Sequence, residues 1–226
     1  MLNENDGLYV LVTSFENPTI FDRRLLPVSL FTGGYLLAAA VFAFARGNLE
    51  FVFYIAVMAI LIGVVLTVHL RVSLSSATLW CLSAWGGLHM AGGLVHVPGG
   101  WPVAGGANVL YNLWLVPQVL KFDQLVHAYG FGVATWVCWQ GLRAGVARQR
   151  NEGQRDQSVQ TTPGLVLLAA TAGMGLGAVN EVIEFVAVLL LPNTNVGGYI
   201  NTGWDLVANL IGCLVAALLI YVSRVR

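Results

Sequence analysis

The chain has 226 residues, of which 57% are hydrophobic and only 10% charged, with a mean hydropathy of +0.74 and no formal net charge. A soluble domain carries roughly 25% charged residues. This composition therefore excludes an ordinary soluble domain, indicates an integral membrane protein, and gives nucleic-acid binding no support.

In chain order, residues 1–25 lack a positively charged start followed by an apolar core. They read as a cytoplasmic or surface-lying N-terminal segment and not as a signal peptide. Residues 26–226 then contain apolar runs at Leu26 to Ala45, Phe51 to Leu70, Ser76 to Val97, Phe122 to Leu142, Leu165 to Leu191 and Asp205 to Val222. About 20 residues of helix cross a hydrocarbon core of about 30 Å. Backbone groups in lipid must be satisfied internally, and the length of the runs favours helices. The expected fold is all-α: one polytopic bundle of six transmembrane helices, the first of them acting as the targeting signal.

Basic residues set the expected orientation. Arg23, Arg24, Arg71, Arg143, Arg148, Arg150, Arg155, Arg224 and Arg226 fall on one side, against Arg46 and Lys121 on the other. The positive-inside rule then places both termini in the cytoplasm, with the Gln/Arg-rich connector from Arg143 to Pro163. That connector can also touch anionic lipid headgroups.

Two segments on the opposite side have their own character. Val97 to Leu120 is broken early by Pro98, Gly99, Gly100 and Pro102, so it cannot span; Tyr111 and Trp114 suggest a short interfacial helix or re-entrant segment at headgroup level. Pro192 to Trp204 is rich in Asn, Gly and Thr and reads as a loop leading to Asp205. Either can cover a pocket. Cys81, Cys138 and Cys213 lie inside predicted spans and read as small packers, not disulfides. Gly173, Gly175 and Gly177 suit close helix packing, and His69 suits a helix end where it caps carbonyls.

The candidate site comes from the acids. Asp123, Glu181, Glu184 and Asp205 lie within or at the mouth of apolar runs, where a charge costs about 2.5–3.5 kcal/mol even on the gentler insertion scales. Each has a partner on the same helical face: Asp123 with His127, Glu181 with Glu184, Asp205 with Asn209. By helical rise, Asp123, His96 and Asp205 should lie near the outer surface, with His127, Glu184 and Asn209 below and His89 and Glu181 deeper. The expectation is an outward-facing polar pocket.

Asp123, His127, Glu181, Glu184 and Asp205 are thus the candidate catalytic groups, with Asn209, His89 and His96 in support. Carboxylate and imidazole ligands suit Zn, Fe(II) or Mn, and His127, Glu181, Glu184 and Asp205 are the expected metal ligands. Asp123 either orients His127 or is itself a ligand. No phosphate-cradling glycine loop, HExxH, serine elbow or long internal repeat is present.

The segments FDQLVH (122–127), NEVIEF (180–185) and TGWDLVANLIG (202–212) resemble the YjdF-type inner-membrane proteins and, more loosely, the VanZ-type membrane proteins. The likeness covers roughly Phe122 to Gly212 and carries over Asp123, His127, Glu181, Glu184, Asp205 and Asn209 as family-like positions. It implies no reaction. Asn180 departs from it, standing where a Trp commonly precedes the first Glu.

The leading expectation is a metal-dependent membrane enzyme acting on a lipid or lipid-linked substrate at the outer leaflet. The alternatives are a small proton- or cation-coupled transporter and a non-catalytic lipid-binding or accessory subunit, with a haem between His89 and His127 as a minor option.

Overall fold

The computed structural model describes residues 25–105, 107–149 and 159–223. Residues 1–24, with Arg23 and Arg24, lie outside the described residues, as do Arg224, Arg226 and the middle of the charged connector, 150–158, with Arg150 and Arg155.

The structure is all-α, with six long helices: α1 Leu26–Ala45, α2 Leu49–Val72, α3 Ser76–Leu94, α4 Phe122–Arg148, α5 Pro163–Leu190 and α6 Tyr199–Ser223. The starts of α2, α3 and α5 follow from side-chain caps. The Asn48, Ser75 and Thr162 side chains accept the otherwise orphaned backbone N–H groups of Phe51, Thr78 and Leu165, and Pro163 occupies the first turn of α5 where its missing N–H costs nothing.

Consecutive helices run in opposite directions. At one end Ser75 N donates to Gln140 Oε1 at 3.3 Å and the Arg148 guanidinium donates to the Arg71 carbonyl. At the other end, Arg46 Nη1 donates to His96 Nδ1 at 3.1 Å, and Asn195 N donates to Glu50. That second end holds the site.

By length and composition, α1, α2, α5 and α6 can each cross a membrane. α3 and α4 fall outside that group because they carry the polar residues of the interior. Thr78 and Ser83 on α3, and Gln124, His127 and Thr135 on α4, are all buried. Large apolar residues such as Leu30, Leu37, Leu189 and Leu218 face outward instead. Polar residues inside and leucines outside are the arrangement a lipid surround favours.

The helices α4, α5 and α6 approach closely through small residues. A methyl group added to Gly212 would collide with the Ala128 carbonyl, one on Gly173 with Thr135, and one on Gly177 with Asn209. Gly173 and Gly177 therefore do what the glycine run suggested, whereas Gly175 faces open space.

Three expectations change. Residues 97–105 and 107–121 keep only one helical turn, Leu110–Asn112, which carries Tyr111. They fold into a small irregular β cap, in which β1 (Trp114–Val116) pairs antiparallel with β2 (Leu120–Lys121) and single bridges join His96 to Val109 and Val103 to Leu113. The prolines remove donors, Gly100 and Gly105 take positive φ, and Pro117 followed by Gln118 at φ 59 makes the reversal between the strands. α6 begins at Tyr199, six residues before the expected start at Asp205. Finally, His69 does not cap: it is buried with neither ring nitrogen hydrogen-bonded among the described residues, and the α2 terminus is closed by Ser73 N donating to the His69 carbonyl from a left-handed conformation.

Candidate carboxylate and histidine centre

His127 lies one turn into α4, and polar groups from α4, α5 and α6 meet around it. Its Nδ1 lies 3.1 Å from Asn209 Oδ1. A carbonyl oxygen can only accept, so Nδ1 carries the proton and donates. Nε2 is then left with its lone pair, 3.6 Å from Asp123 Oδ1 and 3.8 Å from Glu184 Oε1. On the Nδ1 side, Glu181 Oε1 approaches to 3.6 Å.

The structure therefore brings Asp123, His127, Glu181, Glu184, Asp205 and Asn209 together, and two triads with metal-ligand potential share the histidine: Asp123 with His127 and Asp205, and His127 with Glu181 and Glu184. The ring divides them. Asp123 and Glu184 face the free nitrogen, while Glu181 faces the protonated one.

Asp205 and Asn209 have no exposed surface at all. The early start of α6 explains the depth of Asp205, because six residues at 1.5 Å each carry it roughly 9 Å in from the helix end. The same extension puts Asn201 one turn before it, where Nδ2 donates to Asp205 Oδ2 at 2.5 Å. Glu184 Oε1 accepts from Asn180 Nδ2 at 2.9 Å, so the residue that departs from the YjdF pattern is itself a partner of the site.

Two charged residues at this end had no assigned role in the sequence reading. Lys121, counted there only as a topological charge, is buried; its ammonium contacts Asn201 and lies 3.7 Å from Asp123 Oδ2. Glu50, at the start of α2, receives the Asn195 N–H on both carboxylate oxygens at 3.0 Å. Asn195 in turn accepts from Asn112 Nδ2 at 3.1 Å. Glu50 thereby ties the loop before α6 and the β cap to the bundle.

His89 and His96 separate. His89 is set edge-on between Tyr54 and Tyr111, at ring distances of 5.8 and 5.6 Å. With Glu184 it lines a small polar chamber of about 50 Å³ under the cap, alongside Glu50, Asp123 and Asn201. The Tyr111 hydroxyl donates to the His89 carbonyl at 2.8 Å. Burial, followed by the nearby charges of Asp123 and Glu184, pushes that phenol far above its ordinary range and keeps it a donor. His96 stands apart from the centre. α3 ends at Leu94 and its cap residue Val95 is extended, so His96 leaves the helical face of His89 and pairs with Arg46 at the surface.

The balance of charge is what most needs explaining. Four carboxylates converge, and Lys121 is the sole Lys or Arg paired with them among the described residues. Both oxygens of Glu181 and Oδ1 of Asp205 are buried without a hydrogen-bond partner among the described residues. Unpartnered carboxylate oxygens at such depth fit a cation or shared protons.

Residues 27–226 match the family described as predicted membrane protein (DUF2238). A 105-residue stretch, 46% of this chain, is 29% identical to an uncharacterized protein of Thermotoga maritima and covers 50% of that protein. The chain thus spans about half the length of this curated relative. No solved structure matches. The likeness to VanZ-type proteins remains a matter of residue order and is not part of the family match. With the match running through all six helices, the chain belongs to the DUF2238 family of predicted membrane proteins.

Proposed function

We propose that the protein is a metal-dependent membrane enzyme that cleaves an ester or phosphoryl linkage in a lipid or lipid-linked substrate. His127 Nε2, Asp123, Glu184 and Asp205 would hold a divalent ion, with Zn, Fe(II) and Mn the candidates. The supporting observation is the spacing around Nε2. At 3.6 and 3.8 Å the carboxylate oxygens lie beyond hydrogen-bond range of the ring nitrogen. Ligand atoms bound tetrahedrally at about 2.1 Å lie roughly 3.4 Å from one another, which is close to what is found here.

A bound divalent ion supplies a water nucleophile at neutral pH and polarises the scissile oxygen. The chain's own groups do the rest. Asn209 fixes the His127 tautomer through Nδ1, keeping Nε2 available. Lys121 offsets part of the negative charge beside Asp123. Hydrolysis adds water across the linkage and leaves an oxygen that needs a proton, which the unpartnered Glu181 carboxylate, outside the ligand set, would carry. The β cap and the loop tied down by Glu50 restrict water from above.

Our reading of the topology is six spans with both termini cytoplasmic and the site toward the outer face. Its support is that α3 and α4 run alongside the four apolar helices, with Arg71 and Arg148 in contact at the end opposite the site. Transport has less support. Beyond the cluster, the described buried side chains packed between α4, α5 and α6 include Phe131, Ala134, Ala170 and Cys213, then Trp139, Val166, Ala169 and Ile220, and Thr135 spends its hydroxyl on its own helix. A polar path would need more.

Elemental analysis of protein purified without chelators tests the proposal. Stoichiometric divalent metal in the wild type, lost in both His127→Ala and Glu184→Gln, is the expected result. A wild type free of metal after supplementation with each candidate ion would remove the metalloenzyme reading.

A further inference from the structure

Beneath the polar chamber lies a second and much larger cavity. A groove of about 370 Å³ runs between α1, α2 and α3 and ends against α5, where Asn180, Ile183 and Glu184 close it. It extends along α1 from Leu25 to Leu36, along α2 from Tyr54 to Leu66 and along α3 from Leu79 to His89. These stretches correspond to roughly 15–18 Å of helix, about half of a 30 Å hydrocarbon core. Drawn out over that length, the volume makes a slot about one hydrocarbon chain wide.

The lining asks for hydrocarbon. Apart from the end at the site, the polar side chains along the slot include Thr32 and Ser83, which bond to each other at 2.6 Å, while Thr32 also donates to the Val28 carbonyl at 2.8 Å. Groups satisfied in this way have little to offer water or a polar ligand, and an apolar cavity of this kind stays dry and takes up hydrocarbon. Gly33, Leu61 and Leu66 line the slot and are also exposed on the outside of the bundle, so a chain can enter sideways from lipid.

The two cavities are continuous in their walls. Tyr54, His89 and Glu184 line both the apolar slot and the polar chamber that holds Glu50 and Asp123. A long apolar slot opening onto a small polar chamber is complementary to an amphiphile. We propose that the slot binds one linear acyl chain of a membrane phospholipid and places its ester linkage beside Glu184 and His89. The inference rests on the lipid-active reading above and names which part of the substrate is recognised and where.

The test uses the full chain in nanodiscs containing phosphatidylethanolamine with a photoactivatable diazirine on one acyl chain. Expected adducts concentrate on slot residues such as Met58, Val57 and Leu82, above the background on the lipid-facing Leu168 and Leu189. Gly33→Phe fills the slot, because a side chain added there meets nothing within 4 Å of its first carbon. It should cut the slot adducts about tenfold or more. Gly34→Phe is the matched control: its first carbon is equally unobstructed, it does not line the slot, and labelling should persist. Adducts spread evenly over outward leucines, or equal slot labelling in the Gly33 and Gly34 variants at unchanged melting temperature, would overturn the proposal. Metal content of the same preparations separates the two ideas. Labelling without metal keeps the slot and removes the metalloenzyme, and metal without labelling does the reverse.

Discussion

The two halves of the bundle are built from helices of similar length but solve opposite problems. In α4, α5 and α6 glycines bring backbones together, and the buried side chains include His127, Glu181, Asp205 and Asn209. In α1, α2 and α3 a slot of about 370 Å³ is left between helices, with Leu and Val the commonest residues of its lining. The difference teaches where rigidity is needed. Ionisable groups buried in lipid must keep their partners, which demands close packing. Hydrocarbon walls make no directional demand and tolerate space.

The sharpest way to break this comparison is one substitution made in both halves. Gly212→Leu forces a side chain into the Ala128 carbonyl and should cost about 3 kcal/mol or more. Gly33→Leu meets open space and should cost no stability, since leucine is the better helix former. Denaturation in detergent would read both, and equal losses would mean that the halves are packed alike.

Glu50→Ala comes next. It leaves the Asn195 N–H without its acceptor and should cost about 1–3 kcal/mol. Faster proteolysis within residues 191–198 should accompany the loss, because the same contact anchors that loop. Unchanged cleavage would show that the loop is held by something else.

Asn209→Ala should cost about 1–2 kcal/mol by stranding the His127 Nδ1–H. It should also weaken metal binding by roughly 10–100-fold, as loss of a ligand's orienting partner does. Full metal affinity in this variant would show that Asn209 packs but does not orient. No loss at all is expected for Gly175→Ala, which enters open space on an otherwise regular helix and should be neutral or stabilising by up to about 1 kcal/mol. A loss measured by the same denaturation would place an unrecognised contact on that face.

The tightly packed half was the more legible in sequence, and for a physical reason. A charge within an apolar run is expensive, so Asp123, Glu181, Glu184 and Asp205 announced themselves, and helical spacing found His127 and Asn209. Glu50 did not stand out because an acid at a helix start is ordinary. Lys121 was absorbed into the count of topological charges. Asn201 was hidden by the apparent start of the last helix at Asp205; with α6 beginning at Tyr199, its spacing of four from Asp205 is the same signal that revealed the other pairs. The β cap was illegible because strands of three and two residues are too short to show a pattern. The slot was illegible because apolar residues read the same whether they touch one another, lipid, or an empty groove.

The most direct test of the central claim is the melting temperature of wild type and Glu184→Gln, each measured with and without a chelator. An ion at 100 times its dissociation constant stabilises by about 2.7 kcal/mol, which for a chain of this size is roughly 5–10 °C. The account predicts that chelation lowers the wild-type melting temperature by about that much and leaves Glu184→Gln unmoved, at or below the chelated wild type. A wild type indifferent to the chelator, with Glu184→Gln melting higher, would contradict it: the carboxylates would then be a structural cluster relieved by losing a charge.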